Sequence, residues 1–279
     1  RTFGLGLFAA VAMAATGEAA GKVPGTLILR DALTLPNHSV RIEAQVAAKA
    51  AGPSLSGVVL HLQIDGKEVA TGKTNESGQV SFDYLAKMRG TNVISVSIDL
   101  DAPIAAERAN ATLCVWERRR PIVVVELDAL IQPAPASGTS ATSPVMGAMD
   151  DRAPLPVPEA AEELSRLTQY YYNVVYVSND EQGLMGDASS GQVRRWLEAH
   201  QFPTGFVATP VPGGLNATLD ALKNDGWTTM KSGIGRTRAF ADLLLQHRME
   251  VVVVPELPKG ELPRKAKAAK DWKEVRKKL

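Results

Sequence analysis

Two carboxylates spaced two residues apart, Glu126 and Asp128, follow an apolar run in the stretch PIVVVELDALI. Carboxylates placed in this way at the end of a buried strand can serve as a nucleophile and as a proton donor. The stretch is therefore a catalytic loop, a disabled catalytic loop or only a buried strand.

A second pair, Asp99 and Asp101 in SVSIDLDAPI, has two aspartates at the same spacing. Ile94, Val96 and Ile98 alternate with polar residues there, which is typical of a half-exposed strand and not of a central parallel strand. We interpret this pair as structural.

The composition excludes several classes of function. The chain has 279 residues, of which 45% are hydrophobic and 22% charged, as in a soluble globular protein with one large or two ordinary domains. Lysine and arginine total 31 against 30 acids, so there is no long-range field that would attract nucleic acid. Cys114 is the only cysteine, which excludes an intramolecular disulfide, and the four histidines lack metal-ligand spacing.

The first residues predict export. A basic start, an apolar run from Phe3 to Ala15 and small residues after it have the layout of a signal peptide over residues 1–21. No later run reaches 18 apolar residues, so no transmembrane segment is predicted. We expect a periplasmic, envelope or secreted protein.

The pattern of residues 22–118 predicts a β-sandwich. Short segments such as SVRIEAQV alternate apolar and polar residues, and Asp65-Gly66 and Arg89-Gly90 supply turns, which predicts six or seven strands. The stretch GKTNESGQVSFDY resembles the immunoglobulin-like modules of bacterial envelope proteins.

Residues 119–279 follow another pattern. Apolar strands (PIVVVEL, NVVYVS, MEVVVVP) alternate with helices (PEAAEELSRLTQYY, SSGQVRRWLEAHQ, SGIGRTRAFADLLLQHR), which predicts an α/β domain with a doubly wound parallel sheet. A segment rich in Pro, Ser and Ala, residues 132–157, follows the first strand. We interpret it as an insertion above the sheet, either a lid or a plain loop.

The order of these elements from Pro121 to Leu279 resembles the haloacid dehalogenase-like fold, in its lipin and phosphatidate phosphatase branch. The resemblance implies a Mg²⁺-dependent phosphatase site, in which the first acid attacks phosphorus and the second, Asp128, protonates the leaving group. Glu126 is in the nucleophile's place, but it is one methylene longer than the family's aspartate, a displacement of about 1.5 Å, and an error of about 1 Å can cost on the order of a hundredfold in rate. It also implies that Ser178, which ends NVVYVS, and Lys231, which precedes a helix, hold phosphate.

The fourth strand departs from the family's pattern. It runs into PELPKGELP, where only Glu256 and Glu261 offer carboxylates, outside the usual register. Mg²⁺ requires near-ideal octahedral geometry, so the tentative ligand set Glu126, Asp128 and Glu256 predicts weak metal binding or none.

These observations favour a disabled phosphatase-like domain that acts by binding. Two alternatives stay open: an active Mg²⁺-dependent phosphohydrolase on a phospholipid-like or other phosphomonoester, and an adhesion or scaffold module that works through the sandwich. The basic C-terminal stretch predicts a helix with Ala268, Trp272, Val275 and Leu279 facing the body and lysines facing water, where they could contact anionic headgroups.

Overall fold

The computed structural model describes residues 22–48, 54–133, 154–178 and 190–279. They form a β-sandwich and, after a turn at residues 117–120, a parallel α/β domain. The predicted signal peptide and most of the predicted insertion lie outside these ranges. None of the helices in the described ranges is long and apolar enough to cross a membrane.

The sandwich has nine strands in the described residues, somewhat more than the six or seven predicted. One sheet has the order β6-β3-β1-β8 and the other has the order β2-β9-β7-β4-β5. The strands are β1 (Val23–Leu29), β2 (Ala32–Thr34), β3 (His38–Ala48), β4 (Val59–Ile64), β5 (Lys67–Lys73), β6 (Gln79–Ala86), β7 (Gly90–Ile98), β8 (Ile104–Ala105) and β9 (Ala109–Val115).

The predicted alternation accounts for the sandwich core. Ile42, Ala44 and Val46 of β3 are buried and their neighbours Arg41 and Glu43 are exposed, because successive side chains on a strand point to opposite faces. β9 is different, since its last five residues are all buried. Its inner face lies in the sandwich core, and the α/β domain covers its outer face.

The α/β domain contains a six-stranded sheet of the order β12-β11-β10-β13-β14-β15, in which all pairs are parallel. The strands are β10 (Ile122–Glu126), β11 (Asn173–Val177), β12 (Phe206–Val207), β13 (Met230–Gly235), β14 (Glu250–Val253) and β15 (Lys267–Ala268). The helices are α1 (Ala160–Tyr170), α2 (Ser190–Ala199), α3 (Gly214–Asn224), α4 (Arg238–Gln246) and α5 (Trp272–Lys278).

Helices cover both faces of this sheet, which is why β10, β11 and β14 consist mainly of apolar residues. Val123 and Val125 of β10 pack in a core that includes residues of α1, α2 and α5. Ile122 and Val124 face the opposite core, with residues of α3 and α4. The strand order reverses between β10 and β13, the kind of switch point at which doubly wound folds bind ligands.

Three details differ from the sequence prediction. The segment SGIG was predicted as the start of the helix SGIGRTRAFADLLLQHR, because two glycines and a serine give no apolar strand pattern, but it ends β13, and α4 begins at Arg238. Helix α3 was not predicted, because GLNATLDALKN begins with Gly214 after Gly213, both in left-handed conformations, instead of with a side-chain cap. The C-terminal helix is shorter than predicted: it begins at Trp272, and Ala268 lies in β15. Trp272 and Val275 are buried, as the helical spacing predicted.

A buried ion pair joins the two domains. Asp31, between β1 and β2, pairs with Arg194 of α2, and Arg194 Nε donates to Asp31 Oδ1 at 3.2 Å. The carboxylate also accepts hydrogen bonds from Thr112 N (2.9 Å) and Val207 N (2.8 Å), and Arg194 Nη2 donates to the carbonyl of Gly205 at 3.0 Å. The pair therefore holds β9 of the sandwich against the edge of the parallel sheet.

Apolar contacts continue the same junction. Cys114 is fully buried in a core cluster shared with the α/β domain, and burial raises the pKa of its thiol. Trp116 packs edge-on against Trp227, with ring centroids 6.3 Å apart. The single cysteine is thus part of the packing between domains.

Helix α3 is tied to the turn after α4 by a polar cluster around His247. Lys223 Nζ lies 2.6 Å from His247 Nδ1, and His247 Nε2 lies 2.8 Å from Asn216 Oδ1. An ammonium group can only donate, so the ring is neutral, accepts at Nδ1 and donates from Nε2 to Asn216. Burial lowers the pKa of His247, the charge of Lys223 lowers it further, and the carboxylate of Asp220 opposes both.

This cluster predicts a loss of stability in acid. A histidine whose pKa is lower in the folded than in the unfolded chain stabilises the fold above its ordinary pKa of about 6.5, and that contribution is lost as the pH falls through the folded value. We expect the urea midpoint to decrease between about pH 7 and pH 5, and to decrease less in His247→Gln. Tryptophan fluorescence during urea unfolding at each pH gives the midpoint of the parent protein and of His247→Gln. Equal decreases in the two proteins would assign the effect to another group.

Candidate functional site

The first predicted carboxylate, Glu126, ends β10 at the switch point of the sheet and is fully buried. Its Oε2 accepts hydrogen bonds from the backbone N–H groups of Arg236 (2.5 Å) and Thr237 (3.1 Å). Its Oε1 accepts a hydrogen bond from the Thr237 hydroxyl at 2.7 Å. The carboxylate is therefore bound to the loop that starts α4, where a negative charge also interacts favourably with the helix dipole.

The loop between β13 and α4 is shaped to receive this carboxylate. Thr237 is the N-cap of α4, and its hydroxyl also accepts a hydrogen bond from Phe240 N. Gly235, the last residue of β13, has no side chain to obstruct the approach. A Cβ atom at this position would lie 2.1 Å from Phe240 Cδ1 and 2.8 Å from Glu126 Oε2.

Arg236 fixes the acidic loop from the other side. Its Nη1 donates to the carbonyls of Asp128 (3.2 Å) and Ile131 (2.9 Å). These carbonyls belong to a short 3₁₀ turn, Leu127–Leu130, and to the residue after it. The loop between β13 and α4 therefore makes two kinds of contact with this segment. Its backbone N–H groups bind the Glu126 side chain, and the Arg236 side chain binds the backbone carbonyls that follow Glu126.

Burial raises the pKa of Glu126, and the hydrogen bonds from Arg236 and Thr237 oppose that rise. The longer side chain explains how the carboxylate reaches the start of α4 from the end of β10. Both oxygens of the carboxylate are bonded to the loop that leads into α4, and neither is exposed.

Of the other predicted site residues, two lie at the same edge of the sheet as Glu126 and one does not. Asp128 is half-buried on the 3₁₀ turn, and Ser178 directly follows β11, whose last residue, Val177, is paired with Glu126. These two residues share the carboxyl edge with Glu126. Lys231 is exposed near the amino end of β13, roughly 10 Å or more from that edge at the rise of a strand. The structure therefore does not bring Lys231 to the predicted phosphate site.

The tentative metal ligands do not fit Mg²⁺ in this arrangement. Glu256 is exposed beyond the end of β14, and both oxygens of Glu126 already accept hydrogen bonds within the protein. In the described part of the chain, no three His, Cys, Asp or Glu side chains come together as possible metal ligands. Metal binding by Glu126 would require it to leave the α4 loop.

The residues that determine the site, Gly235, Arg236 and Thr237, belong to the stretch GIGRT, which the sequence alone did not single out. A usable signal was present: Thr237, two residues after Gly235, precedes a helical segment as an N-cap does. Gly235 ends β13, the strand that pairs with β10, and this pairing is a property of the fold and not of the local sequence.

Replacing Gly235 tests how closely this loop is built around Glu126. We expect Gly235→Ala to lower the free energy of unfolding by about 1–3 kcal/mol, because the new methyl group overlaps Phe240 and displaces the carboxylate. Urea denaturation measures the change. A value within about 0.5 kcal/mol of the parent protein would contradict the close approach of Glu126 to this strand.

The second aspartate pair and the basic C-terminal stretch both have structural partners. Asp99 Oδ2 lies 3.4 Å from Nε2 of His61 in the sandwich, and Asp99 Oδ1 accepts from Asp101 N. In α5, Lys273 pairs with Glu159 and Arg276 pairs with Glu163 at 3.2 Å. These ion pairs connect α5 to α1. They neutralise two of the basic side chains that were predicted to face water.

Comparison with known proteins gives likenesses to β-sandwich modules at low identity. No protein-family model matches the chain, and no curated protein is similar to it. Among solved structures, the fibronectin(III)-like modules of CbhA from Clostridium thermocellum are 19% identical over 35% of this chain and 49% of theirs, with a TM-score of 0.27. This chain therefore spans about half the length of that structure.

Two further structures are similar to this chain at the same level. A CARDB domain from Pyrococcus furiosus is 13% identical over 34% of this chain and 88% of its own, with a TM-score of 0.28. The adhesin InvE from Yersinia pseudotuberculosis is 11% identical over 36% of this chain and 34% of its own, with a TM-score of 0.27. At such TM-scores, the function of this chain has to be argued from its own residues.

Proposed function

We propose that this protein is a binding or scaffold protein in which an immunoglobulin-like sandwich is held on an α/β domain that has lost phosphatase chemistry. The observation that carries the proposal is the state of Glu126. A nucleophile must approach phosphorus in line, whereas this carboxylate is buried and accepts three hydrogen bonds from the start of α4.

The proposal includes a degenerate kinship with lipin-type phosphatases. It is supported by the position of Glu126 and Asp128 at the end of the first central strand and by the doubly wound strand order. Two features weigh against an active enzyme of that type: Lys231 lies toward the opposite edge of the sheet, and Glu256 is exposed beyond β14. Export, expected from residues 1–21, is part of the same proposal.

The buried junction between the domains supports a role in which the sandwich is held in a fixed orientation. The Asp31–Arg194 pair and the Trp116–Trp227 contact join the sandwich to the parallel sheet through buried groups. A sandwich held in this way presents its other strands and loops in a fixed orientation. That arrangement suits an adhesion or scaffold module, and the α/β domain then acts as its support.

A phosphatase assay tests this proposal. We expect the purified protein to show no turnover of p-nitrophenyl phosphate with Mg²⁺, and Glu126→Asp to show no gain, because an aspartate at this position would lose its contacts with α4 without gaining a metal site. Turnover that disappears in Asp128→Ala would overturn the proposal. A large gain in Glu126→Asp would show that the remaining site is functional, and would overturn it as well.

A further inference from the structure

The turn that joins the two domains borders a cavity of about 520 Å³. Three segments line it: residues 35–37 between β2 and β3, Arg89 directly before β7, and residues 117–119 of the linker. The cavity is open to solvent, since all four of its charged side chains are exposed, and its volume is sufficient for a small anion. We call it the junction cavity.

The charged lining of the junction cavity is mainly positive. Arg89, Arg118 and Arg119 contribute three guanidinium groups, and Glu117 contributes the single carboxylate. Arg89 Nη1 pairs with Glu117 Oε1 at 2.5 Å, so the carboxylate already has a cation as partner. The pair also connects the turn before β7 to the linker, which brings the arginines of two loops to one wall.

Two of the three consecutive linker arginines are anchored on the α/β domain. Arg118 Nη2 donates to the carbonyl of Asp225 at 3.3 Å, and Arg120 donates to the carbonyl of Thr168. The Arg118 guanidinium lies against Gly226, where a Cβ atom would come within 2.6 Å of Nη2. These contacts fix the course of the linker and the position of the Arg118 head group beside the cavity.

Arg119, between the two anchored arginines, is exposed and lines the cavity. It makes no hydrogen bond or ion pair with any of the residues that the structure describes. Its charge is therefore available to a ligand, next to an arginine whose position is already fixed.

We propose that the junction cavity binds a compact polyanion that carries phosphate groups, either free in solution or as the headgroup of a lipid. Guanidinium groups present a rigid fork of N–H donors that matches phosphate oxygens, and several of them on one wall favour a ligand with more than one negative charge. The inference goes beyond the proposed function and does not depend on the role of Glu126.

Calorimetric titration of the whole protein with sodium tripolyphosphate, at low and at physiological salt, tests the proposal. We expect binding that weakens with salt, an increase in Kd of about fivefold in Arg119→Ser, and a decrease in Kd in Glu117→Gln, because this variant removes the competing carboxylate. Arg264→Ser is the matched control. Arg264 is also exposed, has no partner in the described part of the chain, and its loss changes the net charge equally.

A second arm separates the two sources of phosphate. Sedimentation with phosphatidylcholine vesicles that contain phosphatidate, compared with phosphatidylcholine alone, reports whether a lipid headgroup is bound. Dependence on Arg119 in either arm supports the proposal. Equal weakening by Arg119→Ser and Arg264→Ser, or no binding in both arms at millimolar phosphate, overturns it. Catalysis is scored separately by release of inorganic phosphate, so failure here is distinct from failure of the proposed function.

Discussion

Arg194→Met is expected to lower the free energy of unfolding by about 3–5 kcal/mol. The substitution leaves the Asp31 carboxylate buried against two backbone N–H groups, those of Thr112 and Val207, without its cation. Removal of one partner from a buried pair costs much more than an exposed ion pair contributes, because the remaining charge stays desolvated. Urea denaturation followed by tryptophan fluorescence measures the loss.

The neighbouring arginine on the same helix provides a matched control. Arg195 is exposed and has no polar partner among the described residues, so Arg195→Met should change the free energy of unfolding by no more than about 0.5 kcal/mol. Asp31→Ala should be as damaging as Arg194→Met, because it leaves the guanidinium with only the Gly205 carbonyl. The double variant should cost less than the sum of the two, with a coupling of about 2 kcal/mol.

The pair also determines whether the domains unfold together. With the pair intact, we expect one cooperative transition, since the buried junction links the two cores. In Arg194→Met, the sandwich and the α/β domain should separate into two transitions in a calorimetric scan. A single transition at the parent temperature would show that the apolar contacts of Cys114, Trp116 and Trp227 are sufficient, and would contradict the role assigned to Asp31 and Arg194.

The sequence predicted most of the architecture because hydrophobic periodicity is a local property. The alternation in β3 and the apolar run of residues 122–125 in β10 identified a sandwich strand and a parallel strand from the spacing of a few residues. The junction could not be predicted in this way. Asp31 and Arg194 are 163 residues apart, and neither has a neighbour in sequence that marks it as half of a buried pair.

The surroundings of Glu126 could not be predicted from the local sequence either. The extra methylene of Glu126 predicts a departure from phosphatase chemistry, which stays a prediction. What that methylene does depends on the loop of Gly235, Arg236 and Thr237, which becomes its neighbour only when β13 pairs with β10. The phosphate-binding role of Lys231 was predicted from the resemblance to lipin-type phosphatases, but Lys231 lies within β13 and not beyond the carboxyl end of that strand.

Glu126→Ala is expected to lower the free energy of unfolding by about 3 kcal/mol. It removes the acceptor of all three hydrogen bonds, so the N–H groups of Arg236 and Thr237 stay buried without a partner, and it adds a cavity. Glu126→Gln should cost only about 1 kcal/mol, because the amide oxygen can accept from both N–H groups while its Nε2 donates to the Thr237 hydroxyl oxygen.

The stability of Glu126→Ala separates a buried hydrogen-bond acceptor from a nucleophile. Loss of a catalytic carboxylate that faces solvent would remove turnover with little loss of stability, whereas loss of a buried acceptor lowers the free energy of unfolding. Thr237→Val provides an intermediate step, because it deletes the hydroxyl bridge and the N-cap of α4 and should cost about 1–2 kcal/mol. Glu256→Gln, at the exposed end of the tentative metal set, should change nothing measurable.

The outcome that contradicts this account is specific. If Glu126→Ala unfolds at the parent urea concentration, the Glu126 carboxylate does not hold the start of α4, and the argument that it is closed to substrate no longer stands. If Glu126→Ala is destabilised and Glu256→Gln is not, Glu126 has a structural role at the end of β10. One carboxylate cannot be buried against α4 and exposed to a phosphorus atom at the same time.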